Sequence, residues 1–102
     1  MVSQIMHSKR ILIDENLKTK LDNYCRSRGA TTASIASLAT AEFLHAPDEV
    51  RLRPYRSGQV TINSSVISSL RKFSRQIEVP SGDIVTQAVE KFLDKFDYPI
   101  AI

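Results

Sequence analysis

The sequence predicts a mostly α-helical chain carrying one two-stranded antiparallel β-ribbon, in the order β-α-α-β-α-α. Three observations predict it. The chain repeats itself at an offset of 49 residues. Each copy opens on a short run in which apolar and polar residues alternate, the period of a strand with one buried face. Each then continues as two runs whose apolar residues recur every three or four positions, which places them on one face of a helix.

The offset lays Ser8–His45 over Ser57–Asp94 without a gap. Identical pairs are Ser8/Ser57, Ile13/Ile62, Leu21/Leu70, Arg26/Arg75, Ile35/Ile84, Ala39/Ala88, Phe43/Phe92 and Leu44/Leu93. Ile11/Val60, Asp14/Asn63, Leu17/Val66 and Tyr24/Phe73 are conservative pairs. Most of these positions are apolar and fall at structural spacings, so two copies of one motif are fused: repeat 1 at 8–45, a linker at 46–56 and repeat 2 at 57–96, within a single domain of 102 residues.

SKRILID (8–14) and SGQVTIN (57–63) read as the strands, with Ile11, Ile13, Val60 and Ile62 on the inward face. Asp14 and Asn63 follow where a helix N-cap belongs, because either side chain can accept an orphan backbone N–H. The first helix of each copy has its stripe at Leu17, Leu21 and Tyr24, and at Val66, Leu70, Phe73 and Ile77. Gly29 is expected as the left-handed residue that closes the first of them. The second helices start near Thr31/Thr32 and Pro80/Ser81 and bury Ile35, Ala39 and Phe43, and Ile84, Ala88 and Phe92. Cys25, beside the first stripe, is expected to be partly exposed. Pro47 ends the first copy, and the eleven residues of the linker can reach roughly 36 Å when extended, enough to bring the second strand beside the first.

Neither strand is stable by itself. Paired as a ribbon over four helices, they bury one face and leave Ser8, Arg10, Leu12, Ser57, Gln59 and Thr61 pointing outward. The net charge of +3 and pI near 9.2 lean toward anionic partners. The excess charge lies in the first copy and the linker, with six Lys/Arg against four Asp/Glu in 1–45 and three against two in 46–56. The single cysteine and the lack of a leader-like or membrane-spanning segment suit a cytoplasmic protein. His7 and His45 have no metal-ligand companions at useful spacing, and no nucleophile elbow or Gly-rich phosphate loop is present, so no metal, no cofactor and no enzyme activity is expected.

The order strand, capped helix, glycine, second helix, with GATTASIASLATAEFL (29–44) and VPSGDIVTQAVEKFL (79–93) as the second helices, resembles the ribbon-helix-helix superfamily of the Arc and methionine repressors. Members usually dimerise to build the ribbon. Here both halves lie in one chain, similar to tandem conjugation proteins of TraY type. The resemblance implies sequence-specific binding of double-stranded DNA, with the ribbon in the major groove. It implies base contacts from Arg10, Leu12, Gln59, Thr61, Ser8 and Ser57. Arg10 suits guanine, Gln59 suits adenine, and Leu12 stands where a polar residue is usual. It further implies phosphate contacts at the N-terminus of the second helices, from Thr31, Thr32 and Ser81, and the cations Lys9, Arg51, Arg53 and Arg56 are the remaining candidates. The implied roles are a repressor-type transcriptional regulator or, alternatively, a relaxosome accessory protein that binds an origin of transfer beside a relaxase. Self-association on neighbouring DNA subsites is expected. An antitoxin or protein-interaction module is the third class, and the short tail after Phe96 speaks against it.

Overall fold

The computed structural model describes residues 9–53 and 57–96, which form four helices and a two-stranded antiparallel sheet. In chain order the elements are β1 (Lys9–Ile13), α1 (Glu15–Arg28), α2 (Thr32–His45), β2 (Gly58–Ile62), α3 (Ser64–Ile77) and α4 (Ser81–Phe96). Every element of the second half starts 49 residues after its counterpart in the first. Each strand ends one residue earlier than expected, because Asp14 and Asn63 already belong to the helix caps, and β2 begins at Gly58 rather than Ser57.

β1 and β2 pair with Arg10 opposite Thr61, Ile11 opposite Val60 and Leu12 opposite Gln59. Ile11 thus faces the very residue onto which the repeat maps it, so the ribbon is centred on the duplication. Beneath it the copies interlock: α2 packs under β2, α4 under β1, α2 against α3 and α1 against α4. Two hydrogen bonds show the exchange at atomic level. Ser37 Oγ on α2 accepts from the Asn63 backbone N–H at 2.8 Å, and Thr86 Oγ1 on α4 accepts from the Asp14 N–H at 3.4 Å. The repeat maps each donor and each acceptor onto the other. The aromatic pairs behave alike, with Tyr24 edge-on to Phe92 and Phe43 edge-on to Phe73 at centroid distances of 5.9 and 6.5 Å. Offset edge-to-face geometry is the favoured one for such rings.

The joint core contains Ile13, Leu21, Val60, Ile62, Leu70, Ile84, Val85, Val89 and Phe92. Five expectations need correcting. Ile35 on α2 is only partly buried, and Ala36 takes the core place beside it. Ile11 is only partly buried, although Val60 directly opposite it is 2% exposed. On α3, Ile67 takes the core position and Val66 becomes a flank. Ile77 is more than a third exposed, because it ends the helix. Cys25 is 3% exposed rather than half out, which pushes its thiol pKa up, first by burial and second by the Asp22 carboxylate.

The two copies differ at their caps. The Asp14 carboxylate accepts from the Leu17 N–H at 3.0 Å, whereas the Asn63 side chain makes no such bond and only its backbone carbonyl serves α3. Gly29 closes α1 at φ 68°, and its counterpart Glu78 adopts the same left-handed conformation at φ 57° with a side chain attached. Only glycine enters that region without steric cost. Gly58 serves a different need: a Cβ there would lie 2.7 Å from Lys18 Cβ and 3.4 Å from Glu15 Cα, so its absence lets α1 approach β2.

Candidate nucleic-acid interface

The candidate site is the outer face of the ribbon. Side chains alternate across a strand, so burying Ile13, Val60 and Ile62 turns Arg10, Leu12, Gln59 and Thr61 outward. Arg10 and Gln59 are exposed, Leu12 is 44% exposed and Thr61 is partly buried. Among the described residues neither Arg10 nor Gln59 makes a side-chain hydrogen bond or ion pair. The register joins them into two cross-strand pairs, Arg10 with Thr61 and Leu12 with Gln59. One end of the ribbon therefore carries a guanidinium beside a hydroxyl, and the other an apolar branch beside an amide.

The remaining candidates divide. Ser8 and Arg56 lie outside the described residues. Lys9 is exposed but opposite Ile62, on the inward-facing row at the start of β1, so it marks the ribbon's end rather than its outer face. Ser57 precedes β2, and its hydroxyl donates to Glu15 Oε1 at 3.0 Å, which ties it to α1. Thr31 is the N-cap of α2, where its Oγ1 accepts from the Ser34 N–H at 3.1 Å; Thr32 and Ser81 open α2 and α4 and are partly buried. Ser37 lies five residues into α2, roughly 8 Å along the axis from Thr32, and its bond to Asn63 holds that half of the helix beside the end of the ribbon. Thr86 does the same for α4 and the end of β1. The helix N-termini, where the macrodipole is positive, thus belong to the ribbon end of the molecule.

Arg53 departs from its expected part. Its guanidinium makes paired hydrogen bonds to Glu90, Nη1 to Oε2 at 2.9 Å and Nη2 to Oε1 at 2.8 Å, and its side chain is 14% exposed. Those bonds hold it still more firmly protonated, against the opposing effect of burial. Its backbone N–H donates to the buried carboxylate of Asp83 at 3.2 Å. Arg51 presents an exposed side chain while its N–H donates to Gln87 Oε1 at 3.0 Å. Gln87 returns a hydrogen bond to the Glu49 carbonyl, and Lys91 pairs with Asp48. Residues 48–53 therefore run as a strap along α4, held at Asp83, Gln87, Glu90 and Lys91 on one face of the helix. Linear sequence showed a basic linker, and the matching i, i+4, i+7 spacing of polar residues on the last helix was the signal that could have revealed the strap.

Among the described residues no group of three or more His, Cys, Asp or Glu is placed to hold a metal ion, and no helix is long and apolar enough to cross a membrane. Comparison of the chain with protein-family models, with curated proteins and with solved structures finds no match in any of the three.

Proposed function

We propose that the chain is a tandem ribbon-helix-helix protein in which two repeats form an internal pseudo-dimer, and that it binds double-stranded DNA sequence-specifically through the ribbon. One observation carries the reading: an outward row of Arg10, Leu12, Gln59 and Thr61, in which the Arg10 and Gln59 side chains have no partner among the described residues, stands on a two-stranded ribbon whose other face closes an interlocked helical core. A two-stranded ribbon fits the major groove, where every base pair presents a distinct pattern. Arg10 can bond guanine O6 and N7, and Gln59 adenine N6 and N7. Leu12 lies directly opposite Gln59, so an apolar branch for a thymine methyl stands next to an amide for adenine. Thr61 does the corresponding work beside Arg10. Because the repeat maps Arg10 onto Gln59 and Leu12 onto Thr61, the two ends read different base pairs and the target is non-palindromic.

The biological role proposed is transcriptional regulation of the repressor type. Carrying both copies in one chain favours a second role on the same chemistry, binding at an origin of transfer as a conjugation accessory protein. Titration of duplex DNA across a salt series tests the shared claim. The observed association constant should fall steeply and linearly on a log–log plot as phosphate counterions are released; a flat response would overturn it. Gln59→Ala should cost about 1–3 kcal/mol at a single base pair and leave non-specific binding unchanged.

A further inference from the structure

Two hollows flank the helical layer, and the repeat relates them. One lies between the end of α2 and the start of α3, lined by Ala41, Leu44, His45, Ser65, Val66 and Ser69. The offset of 49 maps these six, one for one, onto Glu90, Leu93, Asp94, Asn16, Leu17 and Lys20, which with Asp14 line the other, between α4 and α1. The hollows therefore lie on opposite sides of the approximate two-fold axis through the ribbon centre, where Ile11 faces Val60. They differ in content. Longer side chains reduce the second to about 120 Å³, against about 270 Å³ for the first. Leu17 and Leu93 are buried in the second, whereas Leu44 and Val66 keep part of their surface exposed in the first.

The side with the closed hollow carries a shape that suits the open one. Leu52 is the most exposed large apolar side chain among the described residues, at 69%. It stands on the strap between Arg51 and Arg53, whose N–H groups donate to Gln87 and Asp83, so the backbone on either side of it is fixed to α4. Glu90, which lines the closed hollow, holds the Arg53 guanidinium, and this places Leu52 on that side of the molecule. A single exposed leucine is ordinary. One held out on an ordered strap loses little freedom on binding, and the opposite side of the same molecule offers an apolar hole for it.

The charges select how two copies would meet. No carboxylate lines the open hollow, and α3 beside it carries Arg71, Lys72 and Arg75 with no acidic residue. Lys72 follows Ser69 by three residues and so continues the hollow's rim. Contact between two open hollows would set these cations against each other. The Leu52 side exposes Lys20 and Arg51, but it also holds two carboxylates, Glu49 and Asp94, that make no ion pair among the described residues.

We infer that copies of this chain associate head to tail, with Leu52 of one seated in the hollow between α2 and α3 of the next. Such a contact does not close on itself, so it continues past a dimer. It uses no residue of the ribbon's outer row, forms without DNA and stands or falls apart from base reading. Sedimentation velocity of the intact chain without DNA should show mass that rises with concentration beyond that of a dimer. Leu52→Asp removes the knob, and Ala41→Glu fills the hole with the residue the second copy carries as Glu90. Both positions are exposed, so each variant alone should be monomeric with an unchanged thermal melt. Mixed in equal amounts, the two should form a heterodimer and nothing larger, because one intact knob meets one intact hole. A parent chain that stays monomeric to millimolar concentration, association that stops at a closed dimer, variants that associate as the parent does, or a mixture that stays monomeric would each overturn the head-to-tail contact.

Discussion

α2 and α4 descend from one motif and sit in equivalent places, yet they differ in what surrounds them. α4 is enclosed on both sides, by the joint core and by the strap, so that Asp83, Ile84, Val85 and Thr86 have no exposed surface. α2 is buried on one side only, at Ala36, Ser37, Ala39, Thr40 and Phe43. The difference follows from covalent order. The linker must travel from the end of the first copy to the start of β2, and acquiring the chemistry of α4's outer face turns that passage into structure. The inward faces of the two helices share Ala39/Ala88 and Phe43/Phe92, whereas their outward faces differ in chemistry. The ribbon obeys the same rule: Ile13 and Ile62 are identical beneath it, and Arg10 and Gln59 differ above it.

The comparison is broken most severely in the core. Leu21→Ala and Leu70→Ala remove equivalent, fully buried side chains, and each should cost roughly 2–5 kcal/mol in denaturant unfolding. Because the copies interlock, both variants should still unfold in one transition by circular dichroism and by tyrosine fluorescence. Separate transitions for the two halves would show that they fold independently.

Next are the exchanged hydrogen bonds. Ser37→Ala strands the Asn63 N–H and should cost about 1–2 kcal/mol. Thr86→Val should cost less, since its bond is the longer, 3.4 against 2.8 Å. The reverse order of stability losses would contradict this assignment.

Two substitutions borrow one copy's solution for the other and should stabilise. Thr40 is fully buried, and its hydroxyl has no hydrogen-bond partner among the described residues; the repeat places Val89 at the same point. Thr40→Val should therefore gain about 1 kcal/mol. Glu78→Gly should gain a similar or smaller amount, about 0.5–1 kcal/mol, by relieving the left-handed backbone that Gly29 occupies freely. Thermal melts of the two single variants and the double would check both gains and their additivity.

The smallest effect is a pH dependence. The folded state holds the Cys25 thiol in its protonated form to higher pH than the unfolded chain does. The folded state then binds more protons, so stability falls as pH rises through the window that opens at the unfolded thiol's pKa of about 8.5 and closes at the raised folded value. Cys25→Ala should flatten the stability curve in that window relative to the parent chain, and an equal slope in both would argue against it.

Much of this was legible in the chain itself, because the repeat converts a weak local pattern into a paired one. The element order, the N-cap at Asp14, the C-cap at Gly29 and the core places of Leu21, Leu70, Phe43 and Phe92 all follow from periodicity and cap chemistry. Of the candidate site, the outward placement of Arg10, Leu12 and Gln59 followed from alternation and the repeat. What escaped was non-local. Arg53 looks like a free cation until α4 brings Glu90, 37 residues away, against it. Ser57 looks like part of the reading row until Glu15 takes its hydroxyl. Cys25 seemed peripheral because its counterpart Ser74 is polar, and only the packing of α1 shows it buried. The pairing Leu12–Gln59 required the ribbon register, which no single strand encodes.

On that register rests the proposal that one chain presents a lopsided reading surface to DNA. The direct measurement is selection of bound duplexes from a random library, run in parallel for the parent chain and for the variant Arg10→Gln/Leu12→Thr, whose first strand repeats the outward row of the second. The parent should select a non-palindromic site with guanine at one end and adjacent thymine and adenine at the other. The variant should select a palindrome built from the Gln59/Thr61 half. Identical sites for both proteins, or no enriched site for the parent, would contradict the ribbon as the reading surface.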